Sequence, residues 1–281
     1  MRTRRIILSV SAALAAATLT TTWALASPGT VTGPHGQVDG SARTAGQTEE
    51  QPEQLSVQVE ERYPHDTEAF TQGLELRDGV LYEGTGQYGQ SELRKVEPET
   101  GEVIASEPLP DDTFGEGITL VGDKVWQLTW HGERAYLRDS ETLAELDQVT
   151  YRGEGWGICS DTTANRLVMS DGSADLTFRD PQTFAERRSV TVTRSGEPVT
   201  NLNELECVAG EVWANVWYSD EILRIDPDSG EVLAVVDASG LLTEDEAQTA
   251  DVLNGIAYDQ ASETFLITGK LWPWTFRVTF E

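Results

Sequence analysis

The chain has 281 residues and a formal net charge of −28, because 48 acidic side chains face only 20 basic ones. This charge argues against nucleic acids and anionic membranes as partners of the mature protein, since both would be repelled. A cationic ligand, such as a peptide with a free amino terminus, would be attracted, although acidity also serves simply to keep a protein soluble.

The amino terminus has the pattern of a secretory signal peptide. Arg2, Arg4 and Arg5 precede an apolar run that starts at Ile6, and residues 24–26 (ALA) have the small-x-small form of a cleavage site. Several Ser and Thr residues interrupt the run and no stop-transfer charges follow it, which favours export over a membrane anchor. We predict a signal peptide over residues 1–26 and a secreted, extracellular mature protein; the choice between the Sec and Tat routes stays open.

Residues 27–54 are rich in Gly, Pro, Thr, Gln and Glu and have almost nothing to bury. A segment of this composition cannot repay the entropy lost when it becomes ordered. We therefore predict a disordered linker over residues 27–54 and a single folded domain over residues 55–281.

The domain contains a repeated pattern of short strands and tight turns. Gly73, Gly117, Gly157, Glu204 and Gly255 occupy equivalent positions at intervals of roughly 40–50 residues. The turn before the fourth strand of the unit repeats as EPETG at 97–101, DSET at 139–142, DPQT at 180–183 and DPDSG at 226–230. Asp and Pro begin such hairpin turns and Gly accepts a positive φ. Four strands per unit predict an all-β, five-bladed β-propeller, and a β-sandwich, which needs no fixed repeat, is the alternative.

The fifth unit is one strand short, and a spare strand lies at the start of the domain. Leu55, Val57 and Val59 alternate with polar residues there. We predict that this segment pairs as the outer strand of the fifth blade and closes the ring, because closure removes exposed sheet edges.

The connections between units, and those between the second and third strands, carry many aromatic, amide and carboxyl side chains. Propeller geometry places both kinds of connection on one face, where a rigid scaffold is expected to hold a binding site. Trp213 and Trp217 alternate with Asn215 and so share a strand face by parity. On that pattern alone, core packing is the better interpretation for tryptophans, and we keep it for Trp126 and Trp213.

The same connections resemble those of the glutaminyl cyclotransferases of the plant and bacterial type, a family distinct from the zinc-dependent animal enzymes. The similar segments are YPHD at 63–66, FTQG at 70–73, LYE at 81–83 with TG at 85–86, FGEG at 114–117, GWG at 155–157, SDGS at 170–173, LNEL at 202–205, EVWANVW at 211–217, DVLNGI at 251–256 and TGKLWP at 268–273. The resemblance runs from Tyr63 to Phe280. It implies a five-bladed propeller that converts the N-terminal glutamine of peptides or proteins to pyroglutamate and releases ammonia, an acyltransferase reaction.

The resemblance also implies which residues form the site. The matching positions are Phe70, Gln72, Glu116, Trp130, Trp156, Asn203, Trp217 and Lys270, with Glu83 and Gln127 as further positions in bacterial members. Glu116 is the expected general acid and base, because it lies between two glycines at the entry to an inner strand and because burial beside tryptophans raises a carboxyl pKa. The alternative is a carboxylate that only accepts backbone hydrogen bonds at a strand end.

Lys270 and Glu83 are the other candidate catalytic residues. Lys270 is one of only three lysines in the chain, and its ammonium either sets the ionisation of nearby carboxylates or forms a lone structural ion pair. Glu83 either binds the α-ammonium of the substrate, shares the proton transfer or braces the site. The tryptophans would wall a small pocket, and Gln72, Asn203 or Lys270 would steady a developing oxyanion.

No cofactor is expected. His35, His65 and His131 are the only histidines and show no zinc-binding spacing, so catalysis is expected to need no metal, while a structural calcium ion is compatible with the acidity. Cys159 and Cys207 lie in apolar strands of an exported chain, so a disulfide and two buried thiols both stay open.

A monomer is expected, because the special loops face the channel and no apolar outer stripe is evident. Two other functions are compatible with the same fold. One is a secreted propeller that binds peptides without turning them over, and the other is a propeller lyase that acts on a cyclic peptide.

Overall fold

The computed structural model describes residues 51–281. The predicted signal peptide, residues 1–26, and most of the predicted linker, residues 27–54, lie outside the described residues. Within residues 51–281 the regular elements are β-strands, apart from one 3-10 helix at Glu246–Gln248, so the all-β prediction is confirmed. No helix of this part of the chain has the length and hydrophobicity needed to cross a bilayer.

The described residues form 22 strands. The first thirteen are β1 (Glu53–Pro64), β2 (Thr71–Arg77), β3 (Val80–Thr85), β4 (Glu92–Glu97), β5 (Glu102–Pro108), β6 (Gly115–Val121), β7 (Lys124–Thr129), β8 (Arg134–Asp139), β9 (Glu145–Thr150), β10 (Ile158–Asp161), β11 (Arg166–Met169), β12 (Asp175–Arg179) and β13 (Glu186–Thr191). The others are β14 (Thr193–Arg194), β15 (Glu197–Pro198), β16 (Leu202–Val208), β17 (Glu211–Val216), β18 (Glu221–Ile225), β19 (Val232–Asp237), β20 (Leu253–Asp259), β21 (Thr264–Gly269) and β22 (Trp274–Phe280).

Consecutive strands pair antiparallel into small sheets. Strands β2 to β5, β6 to β9 and β10 to β13 each form a four-stranded sheet in chain order, and β14 pairs with β15. The remaining strands form one eight-stranded sheet in the order β16-β17-β18-β19-β1-β22-β21-β20. Within each four-stranded sheet, the first strand is buried along most of its length and the fourth is mostly exposed. The core therefore lies between the sheets, near their first strands.

The turn between the third and fourth strands repeats in conformation as well as in sequence. The Asp139 carboxylate accepts hydrogen bonds from both the backbone N–H and the hydroxyl of Thr142, each at 2.8 Å. Asp180 accepts the same pair from Thr183, at 2.8 and 3.0 Å. The next residue in the second turn, Phe184, has a φ of 62° and is buried. The Asp-x-x-Thr sequence therefore ends each third strand with a local turn and directs an apolar side chain inward.

Strand β1 joins the two ends of the domain. From Val57 to Pro64 it pairs antiparallel with β22, the last strand, which confirms the predicted pairing. From Glu53 to Ser56 it pairs parallel with β19, which the sequence did not predict. The strand thus begins slightly before the predicted domain boundary at Leu55.

The first strands of the successive groups, β2, β6, β10, β16 and β20, lie beside one another in a closed cycle. Glycine makes this approach feasible, because a Cβ added at Gly73, Gly117 or Gly157 would overlap the backbone of the next strand in the cycle. Glu204 holds the equivalent position in β16, and its carboxylate accepts hydrogen bonds from backbone N–H groups of β2 and β20 at 3.3 and 2.8 Å. The repeat identified in the sequence therefore marks the strands that surround the centre.

Two tryptophans lie in the apolar core, as predicted. Trp126 is 1% exposed and its indole N–H donates to the Pro181 carbonyl at 3.0 Å. Trp213 packs against Phe265 and Phe280, with ring centroids 4.9 and 5.2 Å away. Both side chains therefore stabilise the packing between sheets.

Cys159 in β10 and Cys207 in β16 form a disulfide, which decides the alternative that the sequence left open. The bond links neighbouring inner strands that belong to different sheets. It therefore fixes the cycle of inner strands at one of its five contacts.

Replacing both cysteines with alanine is expected to lower the free energy of unfolding by about 2–4 kcal/mol, because the disulfide closes a loop with a sequence separation of 48 residues. The measurement is urea unfolding of the oxidised wild type and the double variant. A reductant should destabilise only the wild type. Equal unfolding free energies without reductant would contradict the expectation.

Candidate active site

A cavity of about 270 Å³ lies at the beginning of the inner strands. It brings together eight of the predicted site residues: Phe70, Gln72, Glu116, Trp130, Trp156, Asn203, Trp217 and Lys270. Four further residues line it that the sequence did not single out: Gln87, Phe114, Tyr218 and Asp251. Residues from well-separated parts of the chain thus meet in one small space.

A repeated backbone irregularity directs several of these side chains inward. Pairing of the first strand with the second shifts register at the same place in four groups: Thr71/Gly73, Gly115/Ile118, Leu202/Leu205 and Leu253/Ile256. A bulge bends a strand and re-aims the side chain at that point. Each irregularity contains one of the residues Gln72, Glu116, Asn203 and Asn254, and in the last three it also contains the repeat position that follows.

Glu116 is 4% exposed, and within residues 51–281 it makes one hydrogen bond to another side chain, accepted by Oε1 from Gln72 Nε2 at 2.9 Å. Burial raises the pKa of Glu116 well above its ordinary value; the positive charge of Lys270 opposes this rise and the negative charge of Glu154 adds to it. A raised pKa makes this carboxyl group a stronger proton acceptor than an ordinary glutamate, which suits it to take and later return a proton.

Lys270 is also 4% exposed, and its Nζ lies 4.9 Å from the centroid of the Phe70 ring. Backbone hydrogen bonds hold it on both sides, from Lys270 N to Val252 O at 3.0 Å and from Asp251 N to Lys270 O at 2.8 Å. Burial lowers the pKa of the Lys270 ammonium, while Glu116 and Asp251 oppose that change. Among the described residues no side chain accepts a hydrogen bond from Nζ, so this donor is free for a ligand.

Asn203 offers the complementary group. The residue is 2% exposed, and its Oδ1 atom is buried without a hydrogen-bond partner in residues 51–281. An unpaired buried carbonyl oxygen is costly, and a donor supplied by a ligand would satisfy it.

Indole rings form the walls of the cavity. Trp156 and Trp217 meet edge to face, with centroids 5.3 Å apart. The indole N–H groups of Trp130 and Trp156 both donate to Glu154 Oε2, at 2.8 and 2.9 Å. Gly172, at φ 80°, leaves room for the Trp156 ring, which a Cβ there would overlap. Glu154, two positions before Trp156, therefore holds two of the walls, a role that the sequence did not suggest.

Aromatic residues also extend the cavity outward. The Phe114 ring lies between those of Phe70 and Trp130, with centroid distances of 6.1 and 5.6 Å. Tyr218 is 73% exposed, has a φ of 63°, and packs on Trp217 with centroids 4.2 Å apart. The mouth of the cavity thus presents an exposed aromatic ring beside its indole wall.

The structure places Glu83 outside the cavity lining, inside a network of buried charges. Glu83 Oε1 accepts from Thr71 Oγ1 at 2.6 Å and contacts His65 Nε2 at 3.1 Å, and its Oε2 accepts from Arg94 Nε at 2.8 Å. Burial disfavours its charge, but Arg94 and His65 prevail and hold the pKa of Glu83 at about 2. A carboxylate with this pKa does not exchange protons near neutral pH, so of the three roles expected for Glu83 the geometry fits the brace.

Gln127 also lies outside the lining, although the resemblance grouped it with substrate-binding positions. Its Oε1 accepts a hydrogen bond from Arg138 Nε at 2.9 Å, and it is fully buried. Burial lowers the pKa of Arg138, and the amide oxygen partly replaces the water that this guanidinium has lost.

Three more carboxylates, of which Glu204 and Glu206 are buried and Glu75 is half-buried, bridge inner strands away from the cavity. Glu75, Glu204 and Glu206 accept hydrogen bonds from backbone N–H groups of β6, β20 and β20, at 2.7, 2.8 and 3.2 Å. In the part of the chain that the structure describes, no three His, Cys, Asp or Glu side chains are grouped as metal ligands. The structural calcium ion stays a prediction.

Known proteins resemble this chain in both sequence and fold. The sequence profile of the glutamine cyclotransferase family matches residues 36–280. The glutaminyl-peptide cyclotransferase of Arabidopsis thaliana is 39% identical over 230 residues, which cover 80% of this chain and 71% of the plant protein. The crystal structure of Myxococcus xanthus glutaminyl cyclase matches with a TM-score of 0.75 and 38% identity, over 82% of this chain and 99% of the other. The resemblance found in the sequence is confirmed, and the chain belongs to the glutamine cyclotransferase family, a family of acyltransferase enzymes.

Proposed function

We propose that this protein converts the N-terminal glutamine of peptides and proteins to pyroglutamate, with release of ammonia, in the cavity that contains Glu116 and Lys270. The observation that carries the proposal is that these two ionisable groups, both nearly buried, face one space walled by tryptophans. The names of the plant and bacterial relatives support the substrate class.

The chemistry needs one proton acceptor that later becomes a donor. The substrate's α-amine, whose pKa is about 7.7, must lose a proton before its nitrogen attacks the γ-carboxamide carbon. That first proton goes to solvent, and the neutral amine keeps two. Glu116 takes one of these two as the new C–N bond forms. It then gives the proton to the amide nitrogen as the old C–N bond breaks and ammonia leaves. Nucleophile and electrophile belong to one residue, so the cavity's main task is to hold that residue in a ring-closing conformation.

Two unpaired polar groups fit the substrate's remaining atoms. The Lys270 ammonium donates to the carboxamide oxygen, which gains negative charge as the amine attacks. The buried Oδ1 of Asn203 accepts an N–H from the substrate and so gains the partner it lacks in the described residues. The rings of Trp130, Trp156 and Trp217 exclude water and strengthen both interactions.

We also propose that the sheets form a five-bladed β-propeller. Three blades would be the four-stranded sheets, and the eight-stranded sheet would supply two more, joined where β1 lies between β19 and β22. The closed cycle of five inner strands supports this count. With residues 1–26 as signal peptide and the residues from 27 to the start of β1 at Glu53 as linker, the domain would act outside the cell as a monomer.

Replacing Lys270 with methionine is expected to lower kcat/KM by about two orders of magnitude, the usual loss when one oxyanion donor is removed. The acidic limb of the pH profile should also move to higher pH, because the Lys270 charge lowers the pKa of Glu116. The free energy of unfolding should not fall, because the variant no longer buries an ammonium. The measurements are kcat/KM against pH and urea unfolding; an acidic limb at its wild-type position would contradict the proposed charge coupling.

The proposal is tested by incubating the mature protein with a peptide that begins with glutamine. We expect one ammonia and one pyroglutamyl peptide per substrate consumed, measured by coupled ammonia assay and mass spectrometry. The matched control is the same peptide with an acetylated amino terminus, which has no nucleophilic amine and should not react. Binding without ammonia release would instead favour a peptide-binding propeller, and cleavage of a cyclic peptide alone would favour a lyase; either outcome would overturn the proposed function.

A further inference from the structure

Asn254 belongs to a set of residues that hold equivalent positions in the repeat. The residue just before each repeat position is Gln72, Glu116, Trp156, Asn203 or Asn254. The first four line the cavity, whereas Asn254 is fully buried beside it. Its strand has the same register irregularity as β2, β6 and β16. Its place in the repeat therefore groups Asn254 with the site residues, although Asn254 does not line the cavity.

A chain of two amide hydrogen bonds leads from Asn254 through Gln72 to Glu116, and a third bond anchors Asn254 to the backbone of β2. Asn254 Nδ2 donates to the backbone carbonyl of Thr71 at 3.0 Å and to Gln72 Oε1 at 3.3 Å. Gln72 Nε2 in turn donates to Glu116 Oε1 at 2.9 Å. Each of these atoms is in a residue that is no more than 4% exposed.

The direction of this chain is fixed by its first acceptor. A backbone carbonyl can only accept a hydrogen bond, so Asn254 must turn its nitrogen toward Thr71. That nitrogen then also faces Gln72, which must present its oxygen there and its nitrogen to Glu116. Without Asn254, the Gln72 amide could reverse and turn its oxygen toward the carboxyl group.

The orientation of the Gln72 amide matters because it gives the two carboxylate oxygens of Glu116 different hydrogen bonding. Oε1 accepts the hydrogen bond from Gln72, which stabilises the ionised carboxylate and occupies that oxygen. Oε2 accepts no hydrogen bond from any described side chain, so it is the atom left to exchange a proton with a substrate.

The Asn254 amide is only half satisfied. Its Oδ1 atom is buried without a hydrogen-bond partner in residues 51–281, so the side chain carries a cost that a purely apolar or smaller residue would avoid. The Asn254 amide therefore contributes only the two hydrogen bonds that its nitrogen donates to residues of β2.

We propose that Asn254 is a positioning residue that acts through Gln72 to keep Oε2 of Glu116 as the proton-transferring atom. The expected effect of Asn254 on catalysis rests on the proposed function. The hydrogen-bond chain itself has a readout that does not depend on activity, because we expect loss of the Gln72 donor at 2.9 Å to raise the pKa of Glu116.

The test is a double-mutant cycle between Asn254 and Gln72. Asn254→Ala removes the orienting donor, and Asn254→Leu removes it while keeping a branched, uncharged side chain of the same length. Gln72→Met removes the amide through which both substitutions would act. The pKa of Glu116 is read from the pH titration of tryptophan fluorescence, and the Glu116→Gln variant identifies its transition.

Either Asn254 substitution should raise the Glu116 pKa in the wild-type background and leave it unchanged in the Gln72→Met background. Each Asn254 substitution should lower kcat by about tenfold in the wild-type background, in keeping with one lost hydrogen bond. Added to Gln72→Met, it should leave kcat at the value of Gln72→Met alone. Urea unfolding of all variants identifies changes in stability, and Asn254→Leu replaces Asn254→Ala in the cycle if Asn254→Ala does not fold.

Equal effects of the Asn254 substitutions in both backgrounds, or an unchanged Glu116 pKa in the wild-type background, would overturn the inference. A protein that releases no ammonia but shows the coupled pKa shift would refute the proposed function and leave the hydrogen-bond chain established. The two failures are therefore distinguishable.

Discussion

The Glu116→Gln variant is expected to lose at least about two orders of magnitude in kcat, because a glutamine side chain can neither accept the proton of the amine nor return it to the leaving nitrogen. Glutamine has nearly the same size, and its amide oxygen can still accept the bond from Gln72 Nε2. The variant should therefore fold normally and still bind peptide. The measurement is the initial rate of ammonia release at saturating peptide.

The matched control is Glu206→Gln. Burial likewise raises the pKa of Glu206, with the charges of Glu75 and Glu204 adding to it, but this carboxyl group lies away from the cavity and bonds the backbone of Tyr258. Its substitution should leave the rate near that of the wild type. Near-normal turnover by Glu116→Gln would remove Glu116 from the mechanism.

Deleting residues 55–62 is expected to abolish cooperative unfolding. This change removes most of β1, which pairs with both β19 and β22, so it leaves two sheet edges exposed and separates the halves of the eight-stranded sheet. The measurement is unfolding in urea, followed by tryptophan fluorescence and circular dichroism.

A chain that begins at Gln51 is the control for this deletion, since it lacks the preceding residues but keeps all of β1. It should unfold with the same midpoint and slope as the mature protein. If the chain without residues 55–62 showed that same midpoint and slope, the claim that β1 closes the structure would fail.

Much of the fold could be predicted because its information is local. Each Asp-x-x-Thr turn forms through its own side chains, as Asp139 and Thr142 show, and so recurs wherever the sequence recurs. The pairing of β1 with β22 followed from one missing strand in the last unit. Its parallel pairing with β19 could not be predicted, because it depends on the path by which Glu53–Ser56 enters the sheet and leaves no side-chain pattern.

The site could be predicted where a repeat position marks it, as at Glu116, and less well elsewhere. The alternation of side chains along a strand predicted that Trp213 and Trp217 share one face, and this prediction is wrong. Strand β17 ends at Val216, so the alternation does not extend to Trp217. The backbone of Trp217 instead bonds the Asn201 carbonyl at 2.8 Å, and Tyr218 turns the chain with a positive φ. Trp217 therefore lies at the cavity while Trp213 stays in the core.

The displacement of Glu83 and Gln127 from the cavity has a common cause. In three sheets a buried arginine of the third strand bonds, through Nε, a residue of the second strand; the pairs are Arg94 with Glu83, Arg138 with Gln127 and Arg179 with Met169. An alignment of the second and third strands of the repeats, and not only of the glycines in the first strands, would have revealed this pattern. It identifies both residues as parts of a brace that recurs from sheet to sheet.

The most direct test of the account is a crystal structure of the Glu116→Gln variant with a bound peptide that begins with glutamine. We expect the glutamine side chain inside the tryptophan-walled cavity, with its α-amine within about 3 Å of residue 116 and its carboxamide oxygen facing Lys270 Nζ. A peptide bound with that side chain outside the cavity, or with its amine turned away from residue 116, would contradict the proposed site.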